Sequence, residues 1–351
     1  MTALESRISQ ILAKPLERAE RADKAVGYVG LDIPDDLLQA SGVTACHLPW
    51  QAGTPTPFAD RWLEPSFPGW ARSIVEDWSK GRFDFFDSVV FTRGDDASQR
   101  LYYYLCELQR RGRVGGPRPL IFDIAKIRRP SSVDWTVRAV ERLVEELQLD
   151  ETGLGIGIQN ANRRREWLMK FSQSRGRDGS LCERIARASL FDSLDDIDIA
   201  DVPQGKPQNH RLVLAGSSPP DDRLHKAAEG SGWFVVAEAC DRSLGRLGPV
   251  LQEPHDNVAA AIGAHCHALQ SGPRSFADRA AALRWLAASA KADAVAIWLI
   301  EEDEALAWDL VAQKRAIESL EIPLLAMTRR RWDCSDGAGR ELGDFLRGLG
   351  S

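Results

Sequence analysis

Lys24-Ala25-Val26-Gly27-Tyr28-Val29-Gly30 is a short apolar run that ends in glycine. Pro34-Asp35-Asp36-Leu37-Leu38-Gln39-Ala40 follows it, and then Val43-Thr44-Ala45-Cys46-His47-Leu48. The outer two runs have the length and apolar content of buried strands. The middle one reads as a helix, because proline suits a first helical turn and acidic side chains there face the positive end of the helix dipole. Gly42 closes that helix. Strand, helix and strand joined by short connections form the unit of a parallel sheet.

The alternation spreads outward from there. Residues 3–23 carry Leu4, Ile8, Ile11, Leu12 and Leu16 at helical spacing. Residues 50–69 are rich in proline and aromatics and read as an ordered excursion, followed by a helix over 70–81. Strands are expected at 88–92 and 119–123, with helices over 97–112 and 132–147, the latter capped by Ser132. Residues 151–203 are polar and mostly helical in pattern, and Gln204-Gly205-Lys206-Pro207-Gln208-Asn209 marks a boundary. The second half repeats the alternation, with strands at 211–216, 233–237, 294–300 and 322–326. Helices are expected over 220–230, 258–269, 277–290, 303–319 and 338–348. The expected fold is α/β: two doubly wound parallel-sheet domains of Rossmann or flavodoxin type, at 1–150 and 206–351, with a helical connecting subdomain at 151–205. Such sheets place ligands at the carboxyl ends of their strands, so the loops after Gly30, Thr92, Gly216 and Ile300 are the ones to inspect.

Composition narrows the class. A net charge of −6 argues against a general nucleic-acid binder, which carries a basic excess. No apolar run approaches the ~18 residues of a membrane span, and Met1-Thr2-Ala3-Leu4-Glu5 does not read as a signal peptide, so a cytoplasmic protein is expected. The six cysteines, Cys46, Cys106, Cys182, Cys240, Cys266 and Cys334, are scattered and read as reduced thiols packed as small hydrophobes. Arg163-Arg164-Arg165 and Arg329-Arg330-Arg331 read as a solvated helix face and a loop, or else as contacts to an anionic group.

Generic motifs are missing: there is no G-x-G-x-x-G after the first strand, no phosphate-binding G-x-x-x-x-G-K-S/T and no G-x-S-x-G elbow. His265-Cys266-His267 lies in a helical stretch, where positions two apart do not share a face, so no metal is expected there. Acidic groups stand where strands end: Asp95 and Asp96 after one, Glu301, Glu302 and Asp303 after another. They read as helix caps, or as groups converging in one cleft.

The order of these segments resembles the 2-hydroxyacyl-CoA dehydratase and benzoyl-CoA reductase subunits, over about residues 24–348. Gly27-Tyr28 through Pro34-Asp35-Asp36-Leu37-Leu38 is similar to that family's early segment. Asp95-Asp96-Ala97-Ser98-Gln99-Arg100-Leu101 stands where the family has Cys-Asp-Ser-x-x-Arg-Leu. Asn160-Ala161-Asn162-Arg163, Leu214-Ala215-Gly216-Ser217, Val235-Val236-Ala237-Glu238 and Ile322-Pro323-Leu324-Leu325 continue the likeness.

The resemblance implies a 4Fe-4S cluster held by three cysteines and a one-electron reduction of an acyl thioester fed by an ATP-dependent activator. The matching positions here are Trp70, Asp95 and Glu302, and no cysteine lies between Cys46 and Cys106 or between Cys266 and Cys334. Cluster irons are soft and demand thiolates. The expectation is a chain that binds no cofactor of its own. It would be a subunit that shapes an acyl-CoA site beside a cysteine-bearing homologous partner, which carries the cluster. Asp96, Arg100, Glu301 and Ser217 are the candidate cleft residues, and no catalytic residue is named. Trp62, Phe67, Trp70 and Tyr102-Tyr103-Tyr104 are candidates for the partner-facing surface. An alternative is an acyl-CoA-binding or regulatory module without turnover. A third reading makes Asp95, Glu301 and Glu302 ligands of a hard divalent ion, or an acid and base.

Overall fold

The computed structural model describes residues 2–127, 129–173, 179–199, 210–252, 256–269 and 277–350; the expected boundary run at 204–209 lies outside them. Two four-stranded sheets organise the chain. The first contains β1 (Ala25–Val29), β2 (Thr44–His47), β3 (Ser88–Thr92) and β4 (Arg118–Phe122). The second contains β5 (Arg211–Gly216), β6 (Phe234–Ala239), β7 (Ala294–Ile300) and β8 (Leu324–Arg330). The helices of the first half are α1 (Ala3–Ala13), α2 (Glu17–Glu20), α3 (Asp35–Leu38), α4 (Pro57–Trp62), α5 (Gly69–Ser79), α6 (Asp96–Arg110) and α7 (Pro130–Leu147). Next come α8 (Glu151–Gln173) and α9 (Gly179–Ala188). The second half adds α10 (Arg223–Glu229), α11 (Val258–Ala268), α12 (Arg279–Ser289), α13 (Glu304–Ala307), α14 (Leu310–Glu318) and α15 (Ala338–Leu349).

All strand pairs are parallel, in the orders β2-β1-β3-β4 and β6-β5-β7-β8. The chain runs outward from the first strand of each sheet and then returns to its other side, so both sheets have the doubly wound, flavodoxin-like order with a switch point. Helices cover both faces, which is why the central strands are continuous apolar runs. Every residue of β1, β3 and β7 is buried. Alternate residues divide between the faces: Val89 and Phe91 pack with α1, α5 and α6, and Val90 joins the core beneath α7, α8 and α11. Val295, Ile297 and Leu299 point to one core and Ala294, Ala296, Trp298 and Ile300 to the other.

Each switch point carries a glycine that the fold requires. Gly30, after β1, has φ +93°, and a Cβ there would lie 1.9 Å from Cγ2 of Thr92. Gly216, at the end of β5, has φ +107°, and a Cβ would lie 2.3 Å from the Trp298 carbonyl oxygen. Only a residue without a side chain lets the backbones approach this closely at such a φ.

Several local expectations are corrected. Pro15 lacks an amide hydrogen, and the expected helix over 3–23 splits around it into α1 and α2. Ser132 does not cap α7: the helix begins at Pro130, one turn earlier, and the buried Ser132 offers its carbonyl to Thr136 Oγ1. The expected helix over 303–319 breaks at Trp308-Asp309, where Asp309 instead pairs with Arg279 of α12 at 3.1 Å. The arginine run on α8 is not a solvated face. Arg164 and Arg165 turn inward and hold Asp35 and Asp36 at 2.6 and 2.7 Å, while Arg163 stays exposed. Helix α11 follows β6 in sequence but packs on α7, placing Ile262 and Cys266 in the core of the first sheet. Asn162 of α8 holds the incoming segment, donating to the Leu251 carbonyl and accepting from its amide.

Candidate functional site

The carboxyl ends of seven of the eight strands, all but β4, open onto one cavity of about 1100 Å³. Its walls are Gly30 to Asp32 after β1, His47 and Trp50 after β2, and Asp95 to Ser98 with Arg100 after β3. From the second sheet come Ser218 after β5, Asp241, Arg242 and Arg246 after β6, Ile300 to Leu306 after β7 and Trp332 after β8. The cavity is at the upper end of the range for small-molecule sites. Trp50 and Trp332 meet edge to face at 6.4 Å, and Trp50 Nε1 donates to the Pro220 carbonyl, so this wall bridges the two halves.

Carboxylates gather on one side. Asp32 is buried, ion-paired with Lys126 at 3.2 Å, and packed so closely on Gly94 that a Cβ there would overlap its carboxylate. Asp95 caps α6, its Oδ1 accepting from the Ser98 amide at 2.7 Å. Burial and the nearby Asp32 and Asp303 raise its pKa to about 6. Asp241 is raised further, to about 7, by burial and by Asp32, Asp303 and Asp95. Asp303 is raised by burial, against a hydrogen bond from Ser217, and Glu302 by burial and the adjoining Asp303 and Glu301. These like charges crowd a poorly solvated wall, which favours the protonated carboxyl, most strongly at Asp241.

Of the residues singled out in the sequence, Trp70, Asp95, Asp96, Arg100, Glu301 and Glu302 all line this cavity. Asp95 therefore satisfies both readings, helix cap and cleft group. Ser217 does not line it; it is buried one layer behind, where its Oγ accepts from the Ile300 amide. Arg100 is fixed at the rim by Glu64 at 2.6 Å and lies 4.1 Å from the Phe67 ring centroid. Glu301 is exposed and pairs with Arg329 at 2.8 Å. Among the described residues, no three His, Cys, Asp or Glu side chains are placed to hold a metal ion. Of the aromatic surface candidates, Phe67 is core at 1% exposure, Trp62, Trp70, Tyr102 and Tyr104 are partly buried, and Tyr103 is exposed. Arg330 and Arg331 pair locally with Asp336 and Asp333.

His47, Trp50, Asp241, Arg242, Arg246 and Trp332 are cavity residues that reading the sequence missed. They follow β2, β6 and β8, the strands away from the switch points. The available signal was the charged run Asp241-Arg242 just beyond a strand end. His47 Nδ1 donates to the Leu48 carbonyl at 2.7 Å, and burial, with help from Arg242 and Arg246, lowers its pKa to about 3. The imidazole is neutral.

Two flavodoxin-like units whose strand ends share one polar, tryptophan-walled cavity define a two-lobed α/β protein with that cavity between the lobes. The family described as 2-hydroxyglutaryl-CoA dehydratase, D-component, matches residues 31–340, and the chain belongs to it. It is a 2-hydroxyacyl-CoA dehydratase-type subunit, as the order of segments implied. A search of curated proteins finds no match. Among the described residues no helix is long and apolar enough to cross a membrane.

Proposed function

We propose that this chain shapes an acyl-CoA site within a 2-hydroxyacyl-CoA dehydratase or benzoyl-CoA reductase-like complex, and that a cysteine-bearing homologous partner carries the 4Fe-4S cluster. The carrying observation is the donor set of the cavity. Trp70, Asp95 and Glu302, which the resemblance sets against the family's cluster ligands, all line the cavity, and none of the lining residues is a cysteine. Carboxylate and indole do not fit a cluster that needs thiolate sulfur. Two cysteines adjoin a lining residue in sequence: Cys46 donates to the Pro15 and His47 carbonyls at 3.4 Å, Cys240 donates to Glu238 at 3.3 Å, and burial pushes both thiols up.

The remaining lining suits an acyl thioester. Trp50, Trp70 and Trp332 give an apolar wall that excludes water. Protonated carboxyls at Asp95 and Asp241 can donate a hydrogen bond to an acyl or hydroxyl oxygen in a way that ionised ones cannot. The test is anaerobic purification of the chain alone and with its cysteine-bearing homologue, measuring iron and sulfide, followed by calorimetry with acyl-CoAs. The expected result is a colourless chain that binds acyl-CoA and associates with the homologue. A stoichiometric cluster on the chain by itself would overturn the reading. Acyl-CoA binding without a partner or turnover would favour a regulatory module.

A further inference from the structure

We propose that Arg242 and Arg246, in the segment after β6, form an oxyanion subsite in the cavity wall that receives a carboxylate or phosphate of the ligand. This rests on the cavity being a ligand site, and it deepens that reading by assigning one end of the ligand a negative charge.

The first support is unmet hydrogen bonding. Arg242 is 2% exposed. Its Nη2 donates to Glu183 at 2.8 Å and to the Pro219 carbonyl, but its Nη1 has no partner. Arg246 donates through Nη2 to Ser189 Oγ at 3.0 Å, and its Nη1 is likewise without a partner. Buried donors in folded proteins are paired almost without exception, so two orphaned guanidinium N–H groups beside one cavity point to a missing acceptor.

The second support is charge. Glu183 serves both Arg242 and Arg187. Asp35 is taken by Arg164. Arg246 has no carboxylate within ion-pair distance among the described residues, and burial together with Arg164 and Arg242 lowers its pKa to about 10. Arg246 is half-buried with its Nη1 out of solvent, and a largely desolvated cation without a counter-ion is unfavourable unless something supplies the charge. His47, also on this wall, is neutral and supplies none. The acidic side of the cavity does not neutralise the pair either: among the described residues Arg242 is ion-paired with Glu183 and neither arginine is ion-paired with Asp241.

The third support is preorganisation. The Arg242 guanidinium lies 5.0 Å from the centroid of Trp50, and Trp50 is fixed by its bond to Pro220. A guanidinium held in this way presents its donors to a planar or tetrahedral oxyanion without further loss of freedom.

The test uses the full chain in anion-poor buffer, with inorganic phosphate, acetate and glutarate as probes. Thermal unfolding and tryptophan fluorescence report binding. The expected result is saturable stabilisation by one of the probes, weakened about tenfold or more in Arg246→Met. Arg329→Met, at an exposed position, should leave the binding unchanged. Without anion, Arg246→Met should melt higher than the parent, because the uncompensated cation is gone. Preference for phosphate supports the subsite and assigns the charge to a nucleotide moiety; preference for acetate or glutarate supports it and assigns the charge to the acyl chain. Should Arg246→Met fail to fold, Arg246→Lys and the fluorescence response of the parent carry the test. No saturable response from any probe, or equal binding in a folded Arg246→Met, overturns the proposal. Anion binding without acyl-CoA binding would uphold the subsite while removing the acyl-CoA reading.

Discussion

Replacing Asp36 by alanine is the sharpest test of how the cavity's first wall is held. Arg165 grips Asp36 with both ends of its fork, Nη1 to Oδ1 at 2.8 Å and Nη2 to Oδ2 at 2.7 Å, and the side chains are 2% and 1% exposed. Asp36 lies in α3, directly after the Gly30–Pro34 turn, so the pair ties the turn lining the cavity to α8. Removing the carboxylate strands a guanidinium that stays in place through its bonds to the Leu247 carbonyl and Asn162. Breaking such a buried pair costs about 3–5 kcal/mol. At ~2–4 °C per kcal/mol, the melting temperature should fall by roughly 6–20 °C. Glu17→Ala removes the exposed pair with Arg21, whose guanidinium side is 75% exposed, and should cost no more than about 1 kcal/mol. The double variant Asp36→Leu/Arg165→Met should recover most of the loss, because no buried charge remains. Scanning calorimetry of the four proteins decides the matter. If Asp36→Ala melts within about 2 °C of the parent, the buried pair does not hold the wall and the reasoning fails.

Further expectations concern the acidic side and the switch points. Asp241 is raised from 3.8 to about 7 in the fold, so its contribution to stability is full below 3.8 and is lost as pH rises through about 7. Asp241→Asn should therefore melt higher than the parent above neutral pH and lose that advantage near the lower limit, as read from melting temperature against pH. At pH 8, Asp95→Asn, which keeps the cap on Ser98 and removes a charge, should be at least as stable as the parent, while Asp95→Ala should fall about 1 kcal/mol below Asp95→Asn in chemical denaturation. Gly216→Ala should destabilise the second lobe by more than ~1 kcal/mol, because its new methyl meets the Trp298 carbonyl at a positive φ; parental resistance to proteolysis would contradict this.

All eight strands were legible, since parallel strands buried on both faces are unbroken apolar runs bounded by polar turns. Six of the seven residues singled out at the site reached the cavity, because the strand-end rule depends only on topology. What the sequence hid was long-range pairing. Arg164 and Arg165 read as a solvated run until their partners, 129 positions away, are seen across α3. Arg242 was not singled out, and its orphaned donor is visible only once Glu183 and Pro219 are placed around it. Ser132 lost its capping role to a proline start one turn earlier, where two local signals competed and the fixed φ of Pro130 prevailed.

The packing of α11 on the first lobe bears on how the molecule can move. The chain passes from the first lobe to the second ahead of β5, back again after β6, and forward once more after α11. Lobes joined by one tether swing freely, whereas three tethers confine them to turning about a common line, as in hinge-closing receptors. Cargo should thus enter by a modest rocking of rigid halves. Small-angle scattering with and without bound ligand should show a slight compaction, and a large change in radius of gyration would contradict the tethered arrangement.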